Sequence, residues 1–383
     1  MISLLKKPLA SADLSDQTLI SWLRLSRSEN IGPVSFLQLM SLYSSAESAL
    51  DALPTWARRG GRSQALRICS VHEAEQELEA LTKFGAELIS LIDPRYPEIL
   101  KNIHDPPPLL SIKGQSNLFS RQAVGIVGAR NASLNGKKLA QSYARGLGEY
   151  GYAVVSGMAR GIDTAAHEGS MSSGTIAVLA GGINHIYPPE NKNLYEEIAE
   201  KGLVIAEAPF GTVPQASYFP RRNRLISGFG VGVVIVEAAI KSGSLITARF
   251  ALEQGRDVFA VPGSPLDPRC HGTNQLIRQG ATLVQSAQDI VQGLQNPFNQ
   301  SYITQKTEDH PLSELTPEEF NRSLHRARQV ILENLSFTPI QVDELIRECD
   351  FSHAVVMTVL LELELAGLLV RHSGHQVSLR GEI

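Results

Sequence analysis

Cysteine is nearly absent from this 383-residue sequence. Its three copies, Cys69, Cys270 and Cys349, are scattered without metal-ligand spacing. An odd count with no pairing pattern sets aside a disulfide scaffold and points to a reducing cytoplasm. Long hydrophobic runs are missing too. The longest apolar stretch lies near residues 231–240, too short for the ~20 residues that span a bilayer and better read as a buried strand. The first 16 residues carry two lysines but no sustained apolar stretch, so no secretory signal is expected. An excess of positive charge is also lacking, with 35 Lys+Arg against 39 Asp+Glu. What remains, 43 % hydrophobic and 19 % charged, is the composition of an ordinary globular protein. The length leaves room for two or three domains at ~100–200 residues each.

The net charge of −4 argues against a nucleic-acid partner until it is divided by region. Residues 1–120 hold 12 Lys+Arg and 13 Asp+Glu, residues 121–285 hold 16 and 12, and residues 310–383 hold 6 and 11. Any attraction for a polyanion is therefore concentrated in the middle of the chain.

The pattern along the chain divides in the same way. Residues 14–95 read as helical, with Leu19, Ile20, Leu23 and Leu25 followed by a Gly32-Pro33 turn and then Phe36, Leu37 and Met40. This is a helix–hairpin–helix-like pattern, but no lysine or arginine adjoins the turn, which favours plain helix packing. Asp105-Pro106-Pro107-Pro108 marks a boundary, because three prolines deny backbone donors. Beyond it, strands predicted at 109–112, 124–128, 152–156, 175–180, 203–206, 232–237 and 257–261 alternate with helices such as 137–150, 163–171 and 245–254. The strands are continuously apolar, which argues an α/β domain with a parallel, Rossmann-like sheet covered on both faces. A polar linker follows. Helical patterns at 318–335, 339–349 and 352–366, then a hairpin about Ser373-Gly374, make a winged helix. The expected domains are 1–105, 106–294 and 312–383, with the linker at 295–311.

Chemistry concentrates where predicted strands end. Val233-Val234-Ile235-Val236-Glu237 hands over to Lys241-Ser242-Gly243-Ser244 and a helix, which is how an α/β protein presents amide N–H groups and a cation to a phosphate. Val124-Gly125-Ile126-Val127-Gly128-Ala129-Arg130 is a second such edge. Phosphate contact and a merely solvated charge fit Arg130 taken alone equally well. The glycine spacing is not the dinucleotide fingerprint, since the third glycine is replaced by Asn131 and no acid follows ~20 residues on. Arg160 stands in the loop Ser156-Gly157-Met158-Ala159-Arg160-Gly161-Ile162-Asp163, with Asp163 read as a helix cap. His167, one turn later, is read as a packing residue rather than a base. Gly181-Gly182 opens a loop ending in Tyr187-Pro188-Pro189, either a ligand approach or a structural elbow. Tyr218-Phe219-Pro220-Arg221-Arg222-Asn223-Arg224 interleaves cations with aromatics, a pattern suited to single-stranded nucleic acid and also to a solvated basic patch. The third helix of the winged segment carries Glu362 and Glu364 and no cation, so duplex reading by it is not expected.

Taken together, Ile126-Val127-Gly128-Ala129-Arg130, Ser156-Gly157-Met158-Ala159-Arg160-Gly161-Ile162-Asp163, Ala180-Gly181-Gly182, Phe219-Pro220-Arg221-Arg222-Asn223-Arg224, Lys241-Ser242-Gly243-Ser244 and Val261-Pro262-Gly263 resemble the DNA-processing protein A family of bacteria, also called Smf. The resemblance implies an extended Rossmann core flanked by an N-terminal helical, sterile-alpha-motif-like domain and the winged helix. It implies a cytoplasmic protein that binds single-stranded DNA without cutting it, forms a homodimer and delivers DNA to the RecA recombinase during natural transformation, with no cofactor, metal or membrane. By motif position, Arg130 and Lys241 line the DNA pocket and Ser242 and Gly243 form its floor. Gly128, Arg160, Arg221, Arg222 and Arg224 join them as candidate contacts. The core also looks like the lysine-decarboxylase-like nucleotide phosphoribohydrolases, which makes a nucleotide hydrolase the runner-up. Their Pro-Gly-Gly-x-Gly-Thr-x-x-Glu is replaced here by 239–247, with a cation and no following Glu, so the carboxylate that would stabilise an oxocarbenium-like sugar is missing.

Overall fold

The computed structural model describes residues 15–295, 317–372 and 374–381. Three helices come first: α1 (Asp16–Arg27), α2 (Pro33–Leu42) and α3 (Ala46–Arg59). Ser15 and Ser45 cap α1 and α3 by accepting the Thr18 and Ser48 amides, and Pro33 opens α2, where a missing donor costs nothing. Their apolar stripes meet around Trp22 and Phe36, whose rings lie 5.0 Å apart, with Leu23, Leu39 and Leu53 fully buried. Helix α4 (Val71–Phe84) follows.

A nine-stranded sheet forms the centre of the chain. Its elements are β1 (Glu87–Ser90), α5 (Glu98–Lys101), β2 (Leu109–Gly114), β3 (Ala123–Val127), α6 (Leu134–Glu149), β4 (Ala153–Ser156), α7 (Ile162–Ser170), β5 (Thr175–Leu179), α8 (Lys192–Lys201), β6 (Leu203–Ala206), α9 (Tyr218–Phe229), β7 (Gly230–Ile235), α10 (Gly243–Glu253), β8 (Asp257–Ala260), α11 (His271–Arg278), β9 (Thr282–Leu283) and α12 (Ala287–Leu294). The strand order is β1-β2-β6-β5-β4-β3-β7-β8-β9. From β6 to β9 every pairing is parallel, and strands β3 to β6 are buried at every position, as their unbroken apolar runs require. One core joins Val124, Ile126, Val154, Val234 and Phe259 to Ala140 and Leu147 of α6 and Ile290 of α12.

The sheet differs from expectation at one edge. β1 pairs with β2, and β2 with β6, antiparallel. β1 falls in the stretch read as helical, so the sheet begins ahead of the proline run. Pro106, Pro107 and Pro108 are buried. Proline lacks a donor but keeps its acceptor: Tyr96 Oη donates to the Pro107 carbonyl and Leu91 N to the Pro108 carbonyl, both at 2.9 Å. The run is a buried, pinned turn.

The C-terminal elements are α13 (Pro317–Asn334), β10 (Ile340–Gln341), α14 (Val342–Cys349), α15 (His353–Leu365), β11 (Leu369–His372) and β12 (Gln376–Leu379). The strands form an antiparallel sheet ordered β10-β12-β11, which with the helices is a winged helix. The linker expected at 295–311 lies, from 296 on, outside the described residues, as does Ser373 of the predicted turn. The described residues up to Glu75 and from Pro317 on form one compact unit, and those between, from Gln76 on, form another. Within the first unit α15 packs on the N-terminal helices. Ser35 Oγ donates to Glu364 at 2.5 Å and Asn30 to the Leu365 carbonyl at 3.3 Å. Both acids of α15 are buried and paired, Glu362 with Arg328 and Glu364 with Arg371 at 2.7 Å. They do not face solvent as phosphate-repelling charges; that surface of α15 is occupied by its own chain. No described helix is long and apolar enough to cross a membrane.

Candidate nucleic-acid interface

Strands β3 and β7 are neighbours in register, Val127 opposite Ile235, and the Val236 amide extends the ladder to the Val127 carbonyl at 3.1 Å. The chain leaves β3 in one direction through β4, β5 and β6, then returns to β7 and continues the other way through β8 and β9. The carboxyl ends of β3 and β7 therefore flank the topological switch point, where open α/β sheets form their ligand crevice. Arg130 stands three residues past β3 and Lys241 six residues past β7. Both are exposed at this shared rim, and neither pairs with a carboxylate among the described residues.

The turn after β7 leaves the start of a helix open. Ser242 caps α10, its hydroxyl accepting the Ser244 amide at 3.3 Å and lying 2.7 Å from the Ser244 hydroxyl. Gly243 is exposed, with nothing within 4 Å of the place a Cβ would take, so a ligand can reach the positive end of the helix. Asn223 of α9 fixes this turn by donating to the Gly243 carbonyl at 3.2 Å. On the other side Gly128 is a packing residue: a Cβ there would come 2.7 Å from Ile162 and 2.9 Å from the Glu237 carbonyl.

The remaining cations are placed differently from one another. Arg221 is exposed in the first turn of α9. Arg160 is exposed but forms an ion pair with Glu190. Arg222 and Arg224 correct the sequence reading, because both are buried and committed. Arg222 donates to the carbonyls of Gly157 and of Val178, the latter at 2.6 Å; burial, against the pull of Asp163, lowers its guanidinium to about 10. Arg224 reaches Glu207 at 2.5 Å, and Asp105 through its carboxylate at 3.2 Å and its carbonyl at 2.7 Å. Burial pulls the Arg224 guanidinium down, and the two acids more than restore it. Neither side chain is free to meet a phosphate. One signal was available: Arg222 shares the i, i+3, i+4, i+7 stripe of Leu225, Ile226 and Phe229, the buried face of α9.

Asp163 is not the cap of α7. That position is Gly161, at a φ of 80° that a side chain would resist. Asp163 instead accepts the amides of Gly157 and Ala159 at 3.2 and 3.3 Å, pinning the loop that carries Arg160. Burial raises its carboxyl to about 6 despite Arg222, the two amides and Arg130. His167 is fully buried with Nδ1 2.7 Å from the Thr175 hydroxyl, and burial lowers it to about 3, so it is neutral and local. Gly181 and Gly182 pack against the backbone of 209–214, a structural elbow. Sequence reasoning passed over Glu237, which is buried and accepts the Ser133 amide at 2.9 Å and hydroxyl at 2.5 Å, tying β7 to the start of α6. Among the described residues no cluster of acids, histidines or cysteines could hold a metal.

Aromatic rings complete the rim. The Arg130 guanidinium lies over Phe219, 5.0 Å from its centroid, and the Phe219 ring meets Tyr187 edge-on at 5.4 Å. The rim thus offers two unpaired cations, an open helix start and an aromatic pair, suited to a phosphodiester strand carrying bases.

Residues 87–295 match the family described as DNA recombination-mediator protein A, residues 16–80 a DprA-like N-terminal HHH domain and residues 316–375 a DprA winged helix domain. The DNA processing protein DprA of Bacillus subtilis is 45 % identical over 220 residues, 57 % of this chain and 74 % of that one. Protein Smf of Escherichia coli is 37 % identical over 288 residues, 74 % of this chain and 75 % of that one. The X-ray structure of DprA from Streptococcus pneumoniae aligns with a TM-score of 0.59 at 34 % identity, covering 73 % of this chain and 98 % of that one. DNA processing protein A from Helicobacter pylori, whose structure concerns a single-stranded DNA binding mode, aligns at 0.51 and 29 % identity over 55 % of this chain and 95 % of that one. The chain belongs to the DNA recombination-mediator protein A family, DprA/Smf.

Proposed function

We propose that this protein binds single-stranded DNA at the carboxyl rim of β3 and β7 and does not cut it. Arg130 and Lys241 hold neighbouring phosphates, with the open start of α10 at Gly243 completing the grip and exposed Arg221 alongside. The observation that supports this reading is that two exposed cations, neither paired with a carboxylate among the described residues, follow adjacent strands at the switch point of the sheet. Its non-catalytic character is supported by the commitment of the nearby acids: Asp163 to loop amides, Glu190 to Arg160, Glu207 to Arg224 and Glu237 to Ser133. By family kinship the protein acts as a homodimer in the cytoplasm, protects incoming DNA and hands it to RecA in recombination or transformation.

The test is binding of the full chain to oligo-dT, mixed single strands and duplex across a salt series. Each lost phosphate contact should flatten the log K against log salt line by ~0.7. Arg130→Ala or Lys241→Ala should therefore weaken binding by about 5-fold at 0.1 M salt and about 2-fold at 0.3 M, equally for oligo-dT and mixed sequence. Wild-type salt slope retained in both variants would refute the site. Release of free base from nucleoside monophosphates would favour a hydrolase instead.

A further inference from the structure

The sequence sets Tyr218 and Phe219 beside arginines as candidate stacking rings, but the structure gives Phe219 another task. Phe219 is half-buried, with Arg130 at 5.0 Å and Arg222 at 6.0 Å over its ring and Tyr187 against it at 63°. Its faces serve cations. Tyr187, by contrast, is 46 % exposed and, among the described residues, is the large exposed aromatic of the loops at this end of the sheet; Tyr150 sits at the far end of α6. Its loop is held firmly. Pro188 is buried, Asn191 donates to the Met158 carbonyl at 2.8 Å and the Thr164 hydroxyl at 3.0 Å, and Glu190 pairs with Arg160. A ring fixed on a rigid loop loses little freedom on meeting a ligand.

We propose that Tyr187 is the base-stacking contact of this rim, receiving the face of a nucleobase from the strand whose phosphates lie on Arg130 and Lys241. The proposal rests on the single-stranded DNA reading above. It divides labour between cations that grip the backbone and a ring that tests for the presence of a base without reading which base it is, since every base has a π-face.

Full-chain wild type, Tyr187→Ala and Tyr187→Trp are titrated with oligo-dT and with an abasic strand of the same length. Tyr187→Ala should bind oligo-dT about 5- to 150-fold more weakly with its salt slope unchanged. It should bind the abasic strand as wild type does. Tyr187→Trp should keep affinity, and its indole should be quenched by oligo-dT but not by the abasic strand; native Trp22 and Trp56 are buried and lie in the other unit. Undiminished oligo-dT binding by Tyr187→Ala overturns the proposal, as does an equal loss on the abasic strand, which would make the ring a mere prop for Phe219. Should Tyr187→Ala not fold, an unquenched indole in Tyr187→Trp overturns it. A wild-type protein that ignores oligo-dT overturns the underlying reading, which is distinguishable from wild-type binding that is indifferent to residue 187.

Discussion

Replacing Arg224 with methionine separates a structural arginine from a DNA-binding one. The side chain is 6 % exposed and is the shared countercharge of Asp105 and Glu207. Methionine keeps much of the volume but leaves both carboxylates without a cation. Asp105 is already raised above the ordinary carboxylate range by burial, which outweighs the pull of Arg224, so losing that pull drives it higher. Removing one partner of a buried ion pair costs about 3–5 kcal/mol. For a unit of this size that lowers the midpoint by roughly 6–20 °C. The loss should be greatest at neutral pH and shrink in acid, where Asp105 takes up a proton and no longer needs the countercharge. Near-UV tyrosine circular dichroism follows the core, since both tryptophans lie in the other unit. Below the transition, oligo-dT affinity and salt slope should match wild type. Undiminished stability together with weakened DNA binding would refute the reasoning and return Arg224 to the interface.

Two further outcomes are expected. His167 is held neutral at about 3 against an ordinary 6.5, so its folded form resists a proton that the unfolded chain accepts. Its contribution is intact above about 6.5 and lost as pH falls toward 3. The stability of wild type relative to His167→Gln should therefore decline on acidification by up to ~1.4 kcal/mol per pH unit in urea unfolding; Asp163, raised to about 6, pulls the other way in both proteins and cancels, and a pH-independent difference would be inconsistent with a neutral buried ring. At Gly60 a methyl group would collide with the Glu362 carbonyl, so Gly60→Ala should destabilise the unit holding Trp56 by about 1–3 kcal/mol. Tryptophan fluorescence should shift to a lower midpoint while the tyrosine signal of the core stays in place.

How much of this was legible in the sequence depended on the range of the interaction involved. The unbroken apolar runs of β3 to β8 announce themselves, and a cation a few residues past such a run lies near the end of a strand. Arg130 and Lys241 could thus be placed near strand ends, although which ends adjoin is a matter of topology. β1 was hidden because four residues, exposed at one end and buried at the other, carry no period that separates them from a helix end. The arginines of α9 read as a surface patch because charge is local while burial is set by helix phase, and the partners of Arg224 lie 119 and 17 residues away. The charge of Glu362 and Glu364 was likewise visible, while their ion pairs were not. Tyr187 was visible only as part of a turn, since exposure is a property of the fold.

The pairing of α15 with the first helices has a consequence for biosynthesis. Helices α1 to α3 leave the ribosome early, yet the groups that meet Asn30, Ser35 and Gly60 belong to residues 362–365. At ~5–20 residues per second the interval is roughly 15–60 s. For that time the nascent amino end stands half-covered while the sheet between can close without it. A message broken upstream of α15 would thus leave two orphans, a winged segment never finished and an opening bundle with no lid.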